Sequence, residues 1–116
     1  MINAARAARL VTQAVEEKKG LDPVTLDLRP ITPIADYFVI ASGTSLIQVQ
    51  AIAERVEELL KEHGVKLLHR EGRGQARWVL LDYGDVVVHI FQEEARRFYD
   101  LERLWGDAKV VNMNTI

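Results

Sequence analysis

The stretch Arg77–Glu94, RWVLLDYGDVVVHIFQEE, restricts the fold more tightly than any other part of the chain. Two apolar runs flank Gly84-Asp85, a pair suited to a two-residue hairpin turn with glycine at its first central position. That register sets Tyr83 opposite Val86, Leu81 opposite Val88 and Val79 opposite Ile90. Side chains alternate along a strand, so all six share one face. Apart from the tyrosine hydroxyl this face is oily, and it is predicted to meet the core. The other face carries Trp78, Leu80, Asp82, Val87, His89 and Phe91. A slip of one residue would regroup both strands. Aromatics, an acid and an imidazole together fit an interface, with aromatics central and polar groups at the rim. They equally fit a sheet face covered by the last helix, and periodicity alone does not separate the two.

The rest of the chain supplies partners for the hairpin. Ala4, Ala8, Val11 and Val15 recur at helical spacing, predicting a helix over 3–19 that stops at Gly20. Val24, Leu26 and Leu28 alternate with Thr25, Asp27 and Arg29 as in a half-buried strand, which Pro30 and Pro33 interrupt. DYFVIASG reads as a buried strand ending at Gly43. Ser45 and Gln48 form a capping box, and Val49, Ile52, Ala53, Val56, Leu59 and Leu60 line one side of the helix behind it. Gly64 closes that helix, and VKLLH comes next as a strand. Strand, helix, strand predicts a right-handed crossover with the two strands parallel. EGRGQ, from Glu71, is a loop. A last helix is predicted from about Glu93 to Trp105, with Ala95, Phe98, Leu101, Leu104 and Trp105 on its apolar side. The whole, residues 1–116, is expected to be one α/β domain with a mixed sheet of about five strands and three helices. Residues 1–2 and 107–116 are its termini.

Composition agrees with a single packed domain: 116 residues, 48% hydrophobic and 28% charged, hold a core without staples. Cysteine is absent, which excludes disulfides, thiolate chemistry and cysteine-based zinc sites. The formal net charge of −2 disfavours naked nucleic acid as the main partner and suits a basic protein. No apolar run is long enough to span a bilayer. The start, MINAARAARL, resembles a transit peptide, but acids, helical spacing and Gly20 favour an ordinary helix and a cytoplasmic protein.

Chemistry is sparse. His63, His69 and His89 are far apart and lack ligand spacing, so all three are read as structural, with no metal site expected. ASGTSLIQ is similar to the glycine-serine turn with which nucleotidyltransferases hold a triphosphate at a helix N-terminus. That chemistry needs carboxylates converging on Mg²⁺ soon after the turn, and LIQVQAIAERV supplies none in place. Capping explains the serine. No nucleotide-binding or hydrolase motif is present, so no catalytic residue and no cofactor are expected. Arg97 and Tyr99, on the last helix, are residue types common at interfaces.

Taken together, DYFVIASGTS, the AIA of the second helix, the hairpin AxWVLLDxGDVVVHIF and the run ExxxxFYxLExLW resemble the ribosomal silencing factors, the Iojap family. The resemblance extends from the first helix to Trp105. It implies a single mixed-sheet domain, distantly similar to nucleotidyltransferases without their catalytic acids. It further implies a translational repressor that binds the basic large-subunit protein numbered fourteen and blocks subunit joining when nutrients are scarce. Organelle relatives are tied to large-subunit assembly, and a nucleotide-binding enzyme is the more distant alternative. Carried onto this chain, the resemblance implies an accessible Trp78 as central anchor, with Leu80 and Asp82 beside it and Glu71 and Tyr99 at the border. A homodimer formed through the same face is the competing use.

Overall fold

The computed structural model describes residues 2–112, so the last four residues of the expected C-terminal tail lie outside the described residues. Its centre is a pair of strands, β2 (Tyr37–Gly43) and β5 (Val86–Gln92). Every residue of β2 is buried, as its unbroken apolar run requires of a strand covered on both faces. The two strands are parallel, with Val39 opposite Val88 and Ala41 opposite Ile90. β1 (Leu21–Asp27), β3 (His69–Glu71), β4 (Trp78–Asp82) and β6 (Lys109–Val111) complete a six-stranded sheet in the order β3-β4-β5-β2-β1-β6. Every other neighbouring pair is antiparallel.

The hairpin keeps the expected register. Val79 faces Ile90, Leu81 faces Val88, and the Tyr83 N–H donates to the Val86 carbonyl at 2.9 Å. Gly84 has φ +87°, a conformation that favours glycine at this turn position. The predicted oily face is core: Val79, Leu81, Tyr83, Val86, Val88 and Ile90 pack under α1 (Ala4–Glu17) and α2 (Leu46–Glu62).

Both helices have side-chain N-caps, Asn3 for α1 and, as the capping box predicts, Ser45 for α2. Asn3 accepts the Arg6 N–H at 2.8 Å, and Ser45 accepts the Gln48 N–H at 3.1 Å. Gln48 answers by accepting the Thr44 N–H at 2.7 Å. Its amide nitrogen donates to the carbonyls of Lys18 and Lys19, tying α2 to the end of α1. At that end Lys19, not Gly20, takes the left-handed conformation, with φ +57°.

Four expectations are corrected. The sheet has six strands rather than about five, because Lys109–Val111, assigned to the terminus, pairs with β1. VKLLH is not the strand expected after α2; Val65–Leu68 is irregular and the strand begins at His69. β3 runs in the direction of β2 but at the far edge, because the buried slot beside β2 is filled by the more apolar β5. The last helix is broken into α3 (Glu93–Tyr99) and α4 (Leu101–Leu104) by Asp100, at φ +47°. The break turns Leu101 and Trp105 inward and leaves Phe98 and Leu104 81% and 73% exposed, against the single apolar side expected.

Arg70 holds the β3 edge in place. Its side chain is 6% exposed, and the guanidinium lies 2.6 Å from Glu57 and 2.8 Å from the Gln50 side-chain oxygen, both on α2. Without the cation Glu57, whose side chain is 30% exposed, keeps part of its water. Arg70→Ala is expected to lower stability by about 1–3 kcal/mol in denaturant unfolding, between the cost of losing an exposed pair and that of breaking a fully buried one.

Candidate functional site

The second sheet face is built in rows, since residues paired across strands share a face. One row runs Glu71, Leu80, His89, Ile40 and Val24. A second joins His69, Asp82, Val87, Phe38 and Leu26. A third contains Trp78, Phe91 and Ser42. α3 and α4 cover only one side of this face. Under them Phe91, His89, Val87, Phe38, Ile40 and Leu26 are buried. On β4, Trp78, Leu80 and Asp82 are half-buried, and Glu71 on β3 is exposed. The face is therefore neither wholly core nor wholly surface: it is a second core that runs out into an open shelf.

Trp78 sits where the two meet. Its indole packs on Phe91 below, with ring centroids 4.8 Å apart, and against Tyr99 of α3 at 4.7 Å. The indole N–H donates to Nδ1 of His89 at 3.1 Å. Trp78 is thus half-exposed and anchored from beneath. Tyr99, 50% exposed, also touches Phe98 edge-on at 5.1 Å. α3 is fastened above the sheet by Arg96, which binds Glu102 at 2.9 Å, the Ser42 hydroxyl at 3.1 Å and the Leu21 carbonyl at 3.3 Å.

All five residues expected at the site converge here: Trp78, Leu80 and Asp82 along β4, Glu71 directly across from Leu80, and Tyr99 on the indole. Asp82 has a second task, because one carboxylate oxygen accepts the Gly84 N–H at 2.8 Å and so shapes the hairpin turn. Glu71 lies 2.7 Å from His69 Nε2. Gly72, next in the chain, has φ +87°, and a Cβ there would stand 2.5 Å from the Trp78 carbonyl oxygen. Only glycine lets the loop pass so close to β4. Arg97 is exposed on α3 and borders a separate polar cleft with Asp22, Glu93 and Asp100.

Three supporting residues were given no role at the site from the sequence: His89, Phe91 and Arg96. The signal for the first two was the hairpin register itself, which pairs Leu80 with His89 and Trp78 with Phe91. Arg96 gave none, since its partners Ser42 and Leu21 are distant in sequence.

The other candidate chemistry does not assemble. At the Gly43–Ser45 turn the Thr44 and Gln48 N–H groups are consumed by capping, so the turn offers few donors to an anion. Among the described residues no group of His, Asp and Glu is arranged to hold a metal. No described helix is long and apolar enough to cross a membrane.

His89 gives the site a pH dependence. Burial without a charge partner pushes its pKa down to about 4 from 6.5. Between those values the unfolded chain binds a proton that the folded one refuses, so stability falls as pH drops. Its contribution is complete above pH 6.5 and declines toward pH 4, by roughly 3 kcal/mol at 1.4 kcal/mol per unit. His89→Asn is expected to flatten this part of the stability curve relative to the parent protein, read by urea unfolding at about pH 7, 5.5 and 4.5.

The family model described as RsfS, ribosomal silencing factor during starvation, matches residues 2–116. The ribosomal silencing factor of Halalkalibacterium halodurans is 45% identical over 93% of this chain and 92% of its own length. The chloroplastic protein Iojap of Arabidopsis thaliana is 33% identical over 92% of this chain but only 44% of its own. A crystal structure of a Chromobacterium violaceum protein superposes with TM-score 0.88 at 39% identity, covering 90% of this chain and 88% of that one. The shelf between β3 and α3 is thus borne by a chain that belongs to the ribosomal silencing factor family.

Proposed function

We propose that this protein silences translation by seating the Trp78 shelf on the basic large-subunit protein numbered fourteen, where its bulk blocks joining of the small subunit. The reading is supported by one observation above all: in a chain of this family, Trp78, Leu80, Asp82, Glu71 and Tyr99 meet where the cover of α3 gives out, on the β4 side of the sheet. Trp78 is the central anchor, with Tyr99 flanking it and Leu80 extending the apolar strip. Glu71 and the second oxygen of Asp82 meet lysine or arginine on the partner. A specific complex of this kind buries about 1,600 Å² in total. The mechanism is occlusion, which needs affinity and position but no turnover.

Added to ribosomes in a sucrose gradient, the protein should co-migrate with free large subunits and shift whole ribosomes toward separated subunits. An unchanged profile would sink the reading. Trp78→Ala should weaken binding to the isolated large-subunit protein by roughly 2–4 kcal/mol, the scale of an aromatic hot spot. The same change should cost about 1–2 kcal/mol of stability, less than for a fully buried aromatic, because the indole also packs on Phe91. Asp82→Asn keeps an oxygen for the Gly84 N–H but removes the charge. Its affinity should fall mainly through a slower association rate, and the salt dependence of binding should shrink.

A further inference from the structure

Trp78 is half-exposed, and a tryptophan at the margin of a core has room to turn about its side-chain bonds. Stacking on Phe91 and Tyr99 sets the plane of the ring but leaves sliding and flipping open, since aromatic contacts are broad in angle. The indole N–H is the one directional group on the side chain, and its partner is inside the protein: Nδ1 of His89, at 3.1 Å. His89 in turn has little freedom. It is 4% exposed, lies between Leu80 and Ile40 in the sheet, and meets the Phe38 ring edge-on at 4.6 Å. Nδ1 accepts a hydrogen bond, so the imidazole is neutral with its proton on Nε2. Nε2 is buried and has no hydrogen-bond partner among the described residues. An unpaired buried donor is costly, and a carbon ring of similar shape would avoid that cost. What the imidazole offers in exchange is the acceptor beneath the indole.

We propose that His89 is the positioning residue of the docking shelf, its Nδ1 holding the Trp78 indole in the single orientation that a partner meets. The inference rests on the docking reading given above and adds to it a statement about the partner. Because the indole N–H is engaged from within, the partner receives the hydrocarbon edge and face of the ring. Aliphatic side chains and the stems and cations of lysine or arginine suit such a surface, whereas a hydrogen-bond acceptor aimed at the indole finds no donor.

Two substitutions at His89 separate positioning from packing. His89→Phe keeps the ring and removes the acceptor. His89→Asn loses volume but sets its side-chain oxygen where Nδ1 stood. Titrated against purified large subunits, His89→Phe should bind about three- to tenfold more weakly, the cost of ordering one side chain on binding. His89→Asn should stay within about twofold of the parent. The reverse order, or equal affinities, overturns the proposal. A direct readout needs no substitution at His89. In ¹⁵N-labelled protein the Trp78 indole nitrogen, distinguished from that of Trp105 with Trp78→Phe, should show a through-hydrogen-bond coupling to a histidine nitrogen. Its absence overturns the proposal even if His89→Phe does not fold. Unchanged affinity for Trp78→Ala brings down the docking reading itself. Weakened Trp78→Ala beside parent-like His89→Phe removes only the positioning role.

Discussion

A six-stranded sheet is wider than the two short helices laid across its second face, and most of what is distinctive here stems from that mismatch. The first face poses no such problem. α1 and α2, 14 and 17 residues long, bury it from β2 across to β4. On the second face α3 and α4 cover β5, β2 and β1 and reach β4 only at Trp78, where Tyr99 rests on the indole. β4 still alternates past that point, so it presents the outer part of Trp78, with Leu80 and Asp82, half-buried toward an open side. An apolar strip left open in this way is either a liability or an interface. The acids at its border, Asp82 and Glu71, keep it from being uniformly oily and give it a sign.

The shelf gains from being continuous with a core. A docking surface on a loop must be ordered when the partner arrives, at a cost in affinity. Here Trp78 belongs to a strand whose alternate residues, Val79 and Leu81, are fully buried on the opposite face. Phe91 forms its floor, and Tyr99 is held beside it by a helix that Arg96 pins to Ser42 and Glu102. Rigid elements of this kind preserve the geometry of a site without the partner's help. The same arrangement explains why anchor and core residues were hard to tell apart by residue type alone.

Much of this was legible in the sequence because strong local rules agreed. Gly84-Asp85 set the hairpin register, the register set the faces, and the faces assembled Trp78, Leu80 and Asp82. Ser45 and Gln48 marked the start of α2. The features that escaped were decided by competition between distant segments. VKLLH has the pattern of a strand beside β2, but β5 is more completely apolar and takes the place. The helix pattern over Glu93–Trp105 contains no glycine or proline, so nothing local announced the turn at Asp100. Packing on its C-terminal side holds Asp100 left-handed, as Leu101 and Trp105 swing onto Phe38 and the second core. At the β4 edge, composition alone could not say where cover ends, since that depends on how far a broken helix reaches.

The strand beside the shelf shows how the open edge stays usable. An unpaired sheet edge next to exposed apolar groups invites another strand to add on. β3 has only three residues, His69, Arg70 and Glu71, all polar or charged. Arg70 is drawn back to α2, and Gly72 bends the chain away against the carbonyl of Trp78. So short and charged an edge offers little backbone to a stray strand, while its side chains frame the apolar strip on β4. Backbone pairing is discouraged beside the half-exposed side chains of β4. On the docking reading proposed above, selectivity at this margin would rest on the shape and charge of the partner over Trp78, not on the adhesive character of the sheet.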